Sequence, residues 1–154
     1  MGEHTSILVV DDDESIRKTL AVILEEKGYS VDTAENGREA IKKSKAKFYN
    51  LALIDIRLPD MEGTKLLTSM KESTPKMAKI IITGYPSLQN AIEAVNKGAD
   101  AYILKPFNMD NVLNTIKEHL AKQQQAKKYG EEKVAEFIET RVKELETLSS
   151  RKAP

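Results

Sequence analysis

Five short strand-like runs alternate along this chain with stretches whose apolar residues recur every three or four positions. The runs are Ile7-Leu8-Val9-Val10, Val31 to Ala34, Leu51-Ala52-Leu53-Ile54, Ile80-Ile81-Ile82 and Ala101 to Leu104. A continuous run rich in branched residues is how a strand buried on both faces of a parallel sheet reads. Between the runs, Ile16, Leu20, Ile23 and Leu24 fall on one side of a helix that Gly28 stops. Asn36-Gly37 turns into a second helix through Ala40 and Ile41. Gly63 begins a third with Leu66, Leu67 and Met70, broken by Pro75. Ser87 caps a fourth through Ala91, Ile92 and Val95, closed by Gly98, and Asn108 caps a fifth through Val112, Ile116 and Leu120. The alternation predicts an α/β domain over residues 5–121: a doubly wound, five-stranded parallel sheet flanked by five helices.

Composition narrows the function. Hydrophobic residues make up 40 % and charged residues 31 % of 154 residues, enough for one proper core. Lys and Arg number 24, as do Asp and Glu, so no overall charge points to nucleic acid or a membrane surface. With no cysteine, disulfides, thiolate metal sites and a cysteine nucleophile are excluded. A cysteine-free chain fits the cytoplasm. No apolar run approaches the ~20 residues needed to span a bilayer. The polar start, Met-Gly-Glu-His-Thr-Ser, lacks the apolar stretch of a signal peptide.

Doubly wound folds bind their ligands at the carboxyl ends of the strands. Asp11, Asp12 and Asp13 follow the first run, Asp55 the third, Thr83 the fourth and Lys105 the fifth. Carboxylates converging on one rim repel one another, and a hard divalent cation with oxygen ligands relieves that repulsion; Mg²⁺ suits a site with few protein carboxylates and several waters. A lysine and a hydroxyl on the same rim can hold phosphoryl oxygens, and a carboxylate can itself be the nucleophile. Taken singly, each residue has an ordinary explanation: a helix cap, a solvated acidic turn, a surface lysine, a strand-end threonine. The combination at successive strand ends describes phosphoryl transfer to an aspartate.

Four segments together resemble the receiver domains of two-component response regulators: Val9-Val10-Asp11-Asp12-Asp13-Glu14, Leu53-Ile54-Asp55-Ile56-Arg57-Leu58-Pro59-Asp60-Met61-Glu62-Gly63, Ile82-Thr83-Gly84-Tyr85, and Gly98-Ala99-Asp100-Ala101-Tyr102-Ile103-Leu104-Lys105-Pro106-Phe107. The resemblance runs from about Ile7 to Leu120. It implies the flavodoxin-like receiver fold, with Asp55 as phosphoacceptor. Mg²⁺ would be held by Asp12 and Asp55 directly, by Asp11 through water, and by the Arg57 carbonyl. Thr83 and Lys105 would contact the phosphoryl oxygens, and Tyr102 would be the aromatic that turns inward when Thr83 moves. The bond before Pro106 is expected in cis. Asp13 carries no metal role. The implied partners are a sensor histidine kinase and a downstream effector protein or domain. The implied protein is a signalling switch, not an enzyme, catalysing only its own phosphorylation and dephosphorylation.

Three other readings fit less well. A flavodoxin-like electron carrier needs a hydroxyl- and glycine-rich loop after the first strand to cradle phosphate, where three aspartates stand here. An aspartyl-phosphate phosphatase of the family this resembles carries a second Asp two residues after the nucleophile, and this chain has Arg57. A receiver that works without phosphorylation would not be expected to keep every acidic, hydroxyl and lysine position filled.

Beyond the domain, residues 122–154 read as a linker and a C-terminal amphipathic helix. The polar stretch from Ala121 to Lys128 could extend the fifth helix or act as a linker, and Gly130 permits a break. From Glu131 onward, Val134, Phe137, Ile138, Val142, Leu145 and Leu148 line one side of a helix. This stripe is expected either to pack on the domain's own surface or to bind a partner or a second copy of the chain as a homodimer. Near-balanced charge gives the tail no footprint for nucleic acid. Residues 149–154 read as frayed. The stretch Thr83-Gly84-Tyr85-Pro86-Ser87-Leu88-Gln89-Asn90-Ala91 is similar to receivers of the nitrogen-regulation type of transcriptional activator, so the chain could also be a fragment of a longer regulator.

Overall fold

The computed structural model describes residues 4–152. Strands β1 (Ser6–Val10), β2 (Ser30–Ala34), β3 (Leu51–Asp55), β4 (Ala78–Thr83) and β5 (Ala101–Leu104) alternate with helices α1 (Glu14–Glu26), α2 (Gly37–Ala46), α3 (Gly63–Ser69), α4 (Leu88–Asn96) and α5 (Met109–Lys152). The strands form one parallel sheet in the order β2-β1-β3-β4-β5. Chain order reverses between β1 and β3, which opens a crevice beyond their carboxyl ends. The predicted doubly wound fold is the one observed.

The apolar runs divide between the two faces because side chains alternate along a strand. Leu8, Val10, Ala52, Ile54 and Ile81 pack with Leu66, Leu67 and Met70 of the α3 region. Ile7, Val9, Leu51, Leu53, Ile80 and Ile82 pack on the other face with Leu20 and Leu24 of α1 and Val112 and Ile116 of α5. All of these are buried. β2 is an edge strand, and only its Ala34 is fully covered.

The expected caps are present. Asn36 accepts from the Glu39 amide, Ser87 from the Asn90 amide, and Asn108 from the Asp110 amide. Gly28 and Gly98 take positive φ, the left-handed conformation that ends α1 and α4. Helix α3 stops at Ser69, well before Pro75, and the buried Lys79 side chain donates to the Leu67 carbonyl near its end. The peptide bonds before Pro75 and Pro106 are both cis, the latter as the resemblance implied.

The tail is settled by α5, a single helix of 44 residues that runs through Gly130 without a break. The stretch 122–130 therefore extends the fifth helix and is no linker. A glycine weakens a helix by only about 0.5–1 kcal/mol, too little to interrupt one this long. Gln123 anchors the helix where it leaves the domain. Its amide donates to the Asn50 and Lys76 carbonyls at 2.8 and 2.7 Å and accepts from the Asn50 amide at 3.2 Å. The expected fraying of 149–154 is not seen as far as Lys152. The last two residues, like Met1–Glu3 at the start, lie outside the described residues. The stripe from Val134 to Leu148 does not pack on the domain: its six apolar residues are between 47 % and 71 % exposed.

Candidate functional site

The crevice at the carboxyl ends of β1, β3 and β5 collects four of the predicted residues. Asp11 follows β1 directly and is buried, and Asp55 is the buried last residue of β3. Lys105, just past β5, donates to Asp11 Oδ2 at 2.8 Å and to Asp55 Oδ2 at 3.0 Å. Asp12 is exposed on the same rim, and Asp11, Asp12 and Asp55 offer oxygens all within 4.8 Å of one another.

Backbone ties hold this geometry. The Asp11 carboxylate accepts from the Asp13 amide at 2.9 Å, and the Asp11 carbonyl accepts from the Arg17 guanidinium at 2.7 Å. Asp13 itself caps α1, accepting from the Ile16 amide, which is the ordinary role for an acidic residue there. Asp55 Oδ1 accepts from the Arg57 amide at 3.3 Å. The loop after β3 closes tightly, with the Gly63 amide donating to the Ile56 carbonyl at 2.6 Å. A Cβ at Gly63 would stand 2.2 Å from the Asp55 carbonyl oxygen, so only glycine lets α3 start this close to Asp55. Asp60 fastens the same loop to the start of α2 by accepting the Gly37 and Arg38 amides.

Electrostatics set the protonation of the cluster. Burial pushes the Asp55 carboxyl above the ordinary aspartate value, and the neighbouring Asp11 charge adds to this, while Lys105 pulls the other way. For Lys105, burial works against the ammonium form, but its hydrogen bonds to Asp11 and Asp55 outweigh it and raise its pKa. Three carboxylates against one ammonium leave excess negative charge in a confined space. An all-oxygen donor set of this kind fits a hard divalent cation.

The remaining predicted residues sit around this centre. Thr83 ends β4, fully buried, and its hydroxyl oxygen accepts the Tyr85 amide at 3.0 Å. Tyr102 of β5 is partly buried against the core, and its hydroxyl is buried. Arg57 is exposed, and its guanidinium lies 3.9 Å from the centre of the Tyr85 ring. Sequence reasoning missed this stack and the Arg17 support. Each joins residues on different elements, and no spacing along the chain announces them.

Comparison with known proteins now decides the family. Residues 7–117 match the model of the response regulator receiver domain. The chain belongs to that family. It is 40 % identical over 120 residues to the transcriptional regulatory protein ZraR of Klebsiella oxytoca, covering 78 % of this chain and 27 % of that protein. It thus spans about a quarter of that relative's length. A CheY-like receiver domain from Methanospirillum hungatei JF-1 superposes with a TM-score of 0.78 at 47 % identity, covering 80 % of this chain and 99 % of the other. The beryllofluoride-activated NtrC4 receiver domain dimer matches with a TM-score of 0.71 at 42 % identity, covering 77 % and 98 %. This chain is therefore a receiver domain of a two-component response regulator.

Proposed function

We propose that Asp55 accepts a phosphoryl group from a sensor histidine kinase and that the modified receiver switches its surface for a downstream protein or domain. The observation that carries this is the convergence of Asp11, Asp12, Asp55 and Lys105 on one crevice. An Asp55 carboxylate oxygen attacks phosphorus, the phosphorus–nitrogen bond to the kinase histidine breaks, and the proton balance is completed on the departing imidazole. Asp12, Asp55 and the Arg57 carbonyl would hold Mg²⁺, with Asp11 one water away. When bound, Mg²⁺ neutralises charge on the acceptor and the incoming phosphoryl oxygens. Lys105 exchanges its bond to Asp55 for one to a phosphoryl oxygen, a charge-assisted contact. The Thr83 hydroxyl donates to another phosphoryl oxygen while its lone pairs remain free for the Tyr85 amide.

The switch then rests on Thr83 and Tyr102. Movement of Thr83 vacates space, and the Tyr102 ring, already partly buried against the core, repacks toward it. One charge-assisted hydrogen bond of ~1.5–3 kcal/mol is enough to shift such a two-state population. The readout surface is that of α4, β5 and α5, where Leu88, Ile92, Val95 and Leu104 stand exposed. Catalysis is confined to the receiver's own phosphorylation and dephosphorylation, and the chain works in the cytoplasm. Among the described residues no helix is long and apolar enough to cross a membrane. The balanced charge of the chain gives no support to nucleic-acid binding by this segment. A homodimer through the extended helix is part of the same reading, supported by the exposed stripe; the activated NtrC4 receiver is a dimer too, and its match covers 77 % of this chain.

The test is incubation with acetyl phosphate and Mg²⁺ followed by intact mass measurement. The expected result is one labile acyl phosphate, absent in Asp55→Asn and strongly reduced in Asp12→Ala or without Mg²⁺. Normal acyl phosphate in Asp55→Asn would move the acceptor elsewhere.

A further inference from the structure

The second half of α5 carries a seam whose composition dictates how two copies can pair. Positions 127, 131, 134, 138, 141, 145 and 148 follow one another at spacings of four and three, the repeat that faces a partner helix. Four of them are apolar: Val134, Ile138, Leu145 and Leu148. Three are charged: Lys127, Glu131 and Arg141. Phe137 and Val142 flank the seam. All are exposed.

In a parallel, in-register pair each seam residue meets its own copy. Arg141 would face the partner's Arg141 and Glu131 the partner's Glu131. With Lys127 facing its own copy as well, like charges would then meet in three layers of a short interface. An antiparallel pair with Val134 opposite Leu145 removes the Arg141 and Glu131 conflicts and moves Lys127 opposite position 152, at the end of the helix. In that register Arg141 lies against Ile138 of the other copy and Glu131 against Leu148. Arg141 also keeps its bond to its own Glu144 at 2.9 Å. The arrangement is self-complementary, as a twofold interface requires.

A groove on the domain side fits the same register. Pro75, Ala126, Gly130, Val134 and Ile138 line an apolar hollow of about 700 Å³ where α5 passes the loop before β4. A Cβ at Gly130 would meet nothing within 4 Å, so this part of the hollow is open. Placing Leu148 opposite Glu131 brings the last apolar turn of the second copy to the hollow. The seam and the hollow share Val134 and Ile138, so one partner helix can cover both. The Gln123 clamp fixes the direction in which α5 leaves the domain, and the seam is held clear of the sheet.

We infer that two copies of this chain pair through antiparallel α5 extensions, with the end of each helix seated in the other's groove and the receivers at opposite ends. The inference rests on the homodimer reading above and adds its direction. With 1.5 Å of rise per residue and a twofold axis near residue 139, the two Gln123 clamps stand about 50 Å apart.

The absence of native cysteine makes the test clean. Val134→Cys and Leu145→Cys chains, distinguishable by mass, are mixed and oxidised gently. The mixed disulfide should dominate over both homodisulfides. Dominant homodisulfides would overturn the antiparallel direction and leave the dimer standing. A spin label at Lys128→Cys leaves the seam intact and gives a second measurement: a separation of about 35 Å is expected, against about 10 Å for parallel helices. Sedimentation equilibrium of the unaltered chain separates the two readings. A monomer at high micromolar concentration would overturn the homodimer and this inference with it.

Discussion

Helix α5 uses one periodicity for two environments. In its first half, Val112 and Ile116 are fully buried against the sheet, with Leu113 and Leu120 partly covered. In its second half, Val134, Phe137, Ile138, Val142, Leu145 and Leu148 repeat the same spacing, and all are exposed. An apolar stripe specifies a face and its direction, but not what the face meets. Within the domain the partner is supplied by strands fixed elsewhere in the chain. Beyond Gln123 the sheet ends, and the stripe continues past it. Burying a large apolar side chain is worth roughly 1.5–3 kcal/mol, so six uncovered residues make association favourable before ordering is charged against it.

Glycine substitutions give the sharpest contrast between the two regions. Gly63→Ala places a methyl group 2.2 Å from the Asp55 carbonyl oxygen, where backbone must move. A loss of about 1–3 kcal/mol in denaturant unfolding is expected, as for other overpacked sites, together with slower acyl phosphate formation. Unchanged stability and phosphorylation would mean that the loop after β3 is less rigid than its hydrogen bonds imply.

A smaller effect is expected from removing charge at the acceptor. The Asp55 carboxyl is raised in the folded domain, so its contribution to stability is full below the unfolded value of about 3.9 and is lost as pH rises through the folded value. Without Mg²⁺, Asp55→Asn should therefore melt higher than the unaltered protein at neutral pH, with the gap closing in acid. A gain of about 1 kcal/mol would move the midpoint by roughly 2–8 °C. A gap that widened on acidification would reverse the sign of the Asp55 shift. The same substitution should leave the exposed half of α5, followed by its helix content, unaffected.

The smallest change is expected at Gly130. An alanine there meets nothing in its own chain, and it should raise the stability of the extension by about 0.5–1 kcal/mol, read as a later loss of helix on heating. A loss at Gly130 as large as that at Gly63 would erase the distinction between a packed glycine and a merely tolerated one.

Much of the fold and site was legible along the chain because the signals are local. Runs such as Leu51-Ala52-Leu53-Ile54 announce strands, Asn36, Ser87 and Asn108 announce helix starts, and the residue ending each run announces what reaches the rim. Asp11, Asp12, Asp55, Thr83 and Lys105 could be named without coordinates because strand ends in this architecture share one edge. The continuity of α5 was not legible: Gly130 and the polar stretch before it carry a weak local signal that nearest-neighbour hydrogen bonds along a long helix override. Nor was the Gln123 clamp, whose partners lie 73 and 47 residues away. The pairing of Lys105 with both Asp11 and Asp55, the Arg17 support and the Arg57–Tyr85 stack likewise join distant segments. Sequence alone determined which residues stand on which face and at which end of each element, since these follow from periods of two and 3.6. Tertiary structure alone decided which of them touch, that burial raises the Asp55 carboxyl, and that the final stripe finds no cover among the described residues of its own chain.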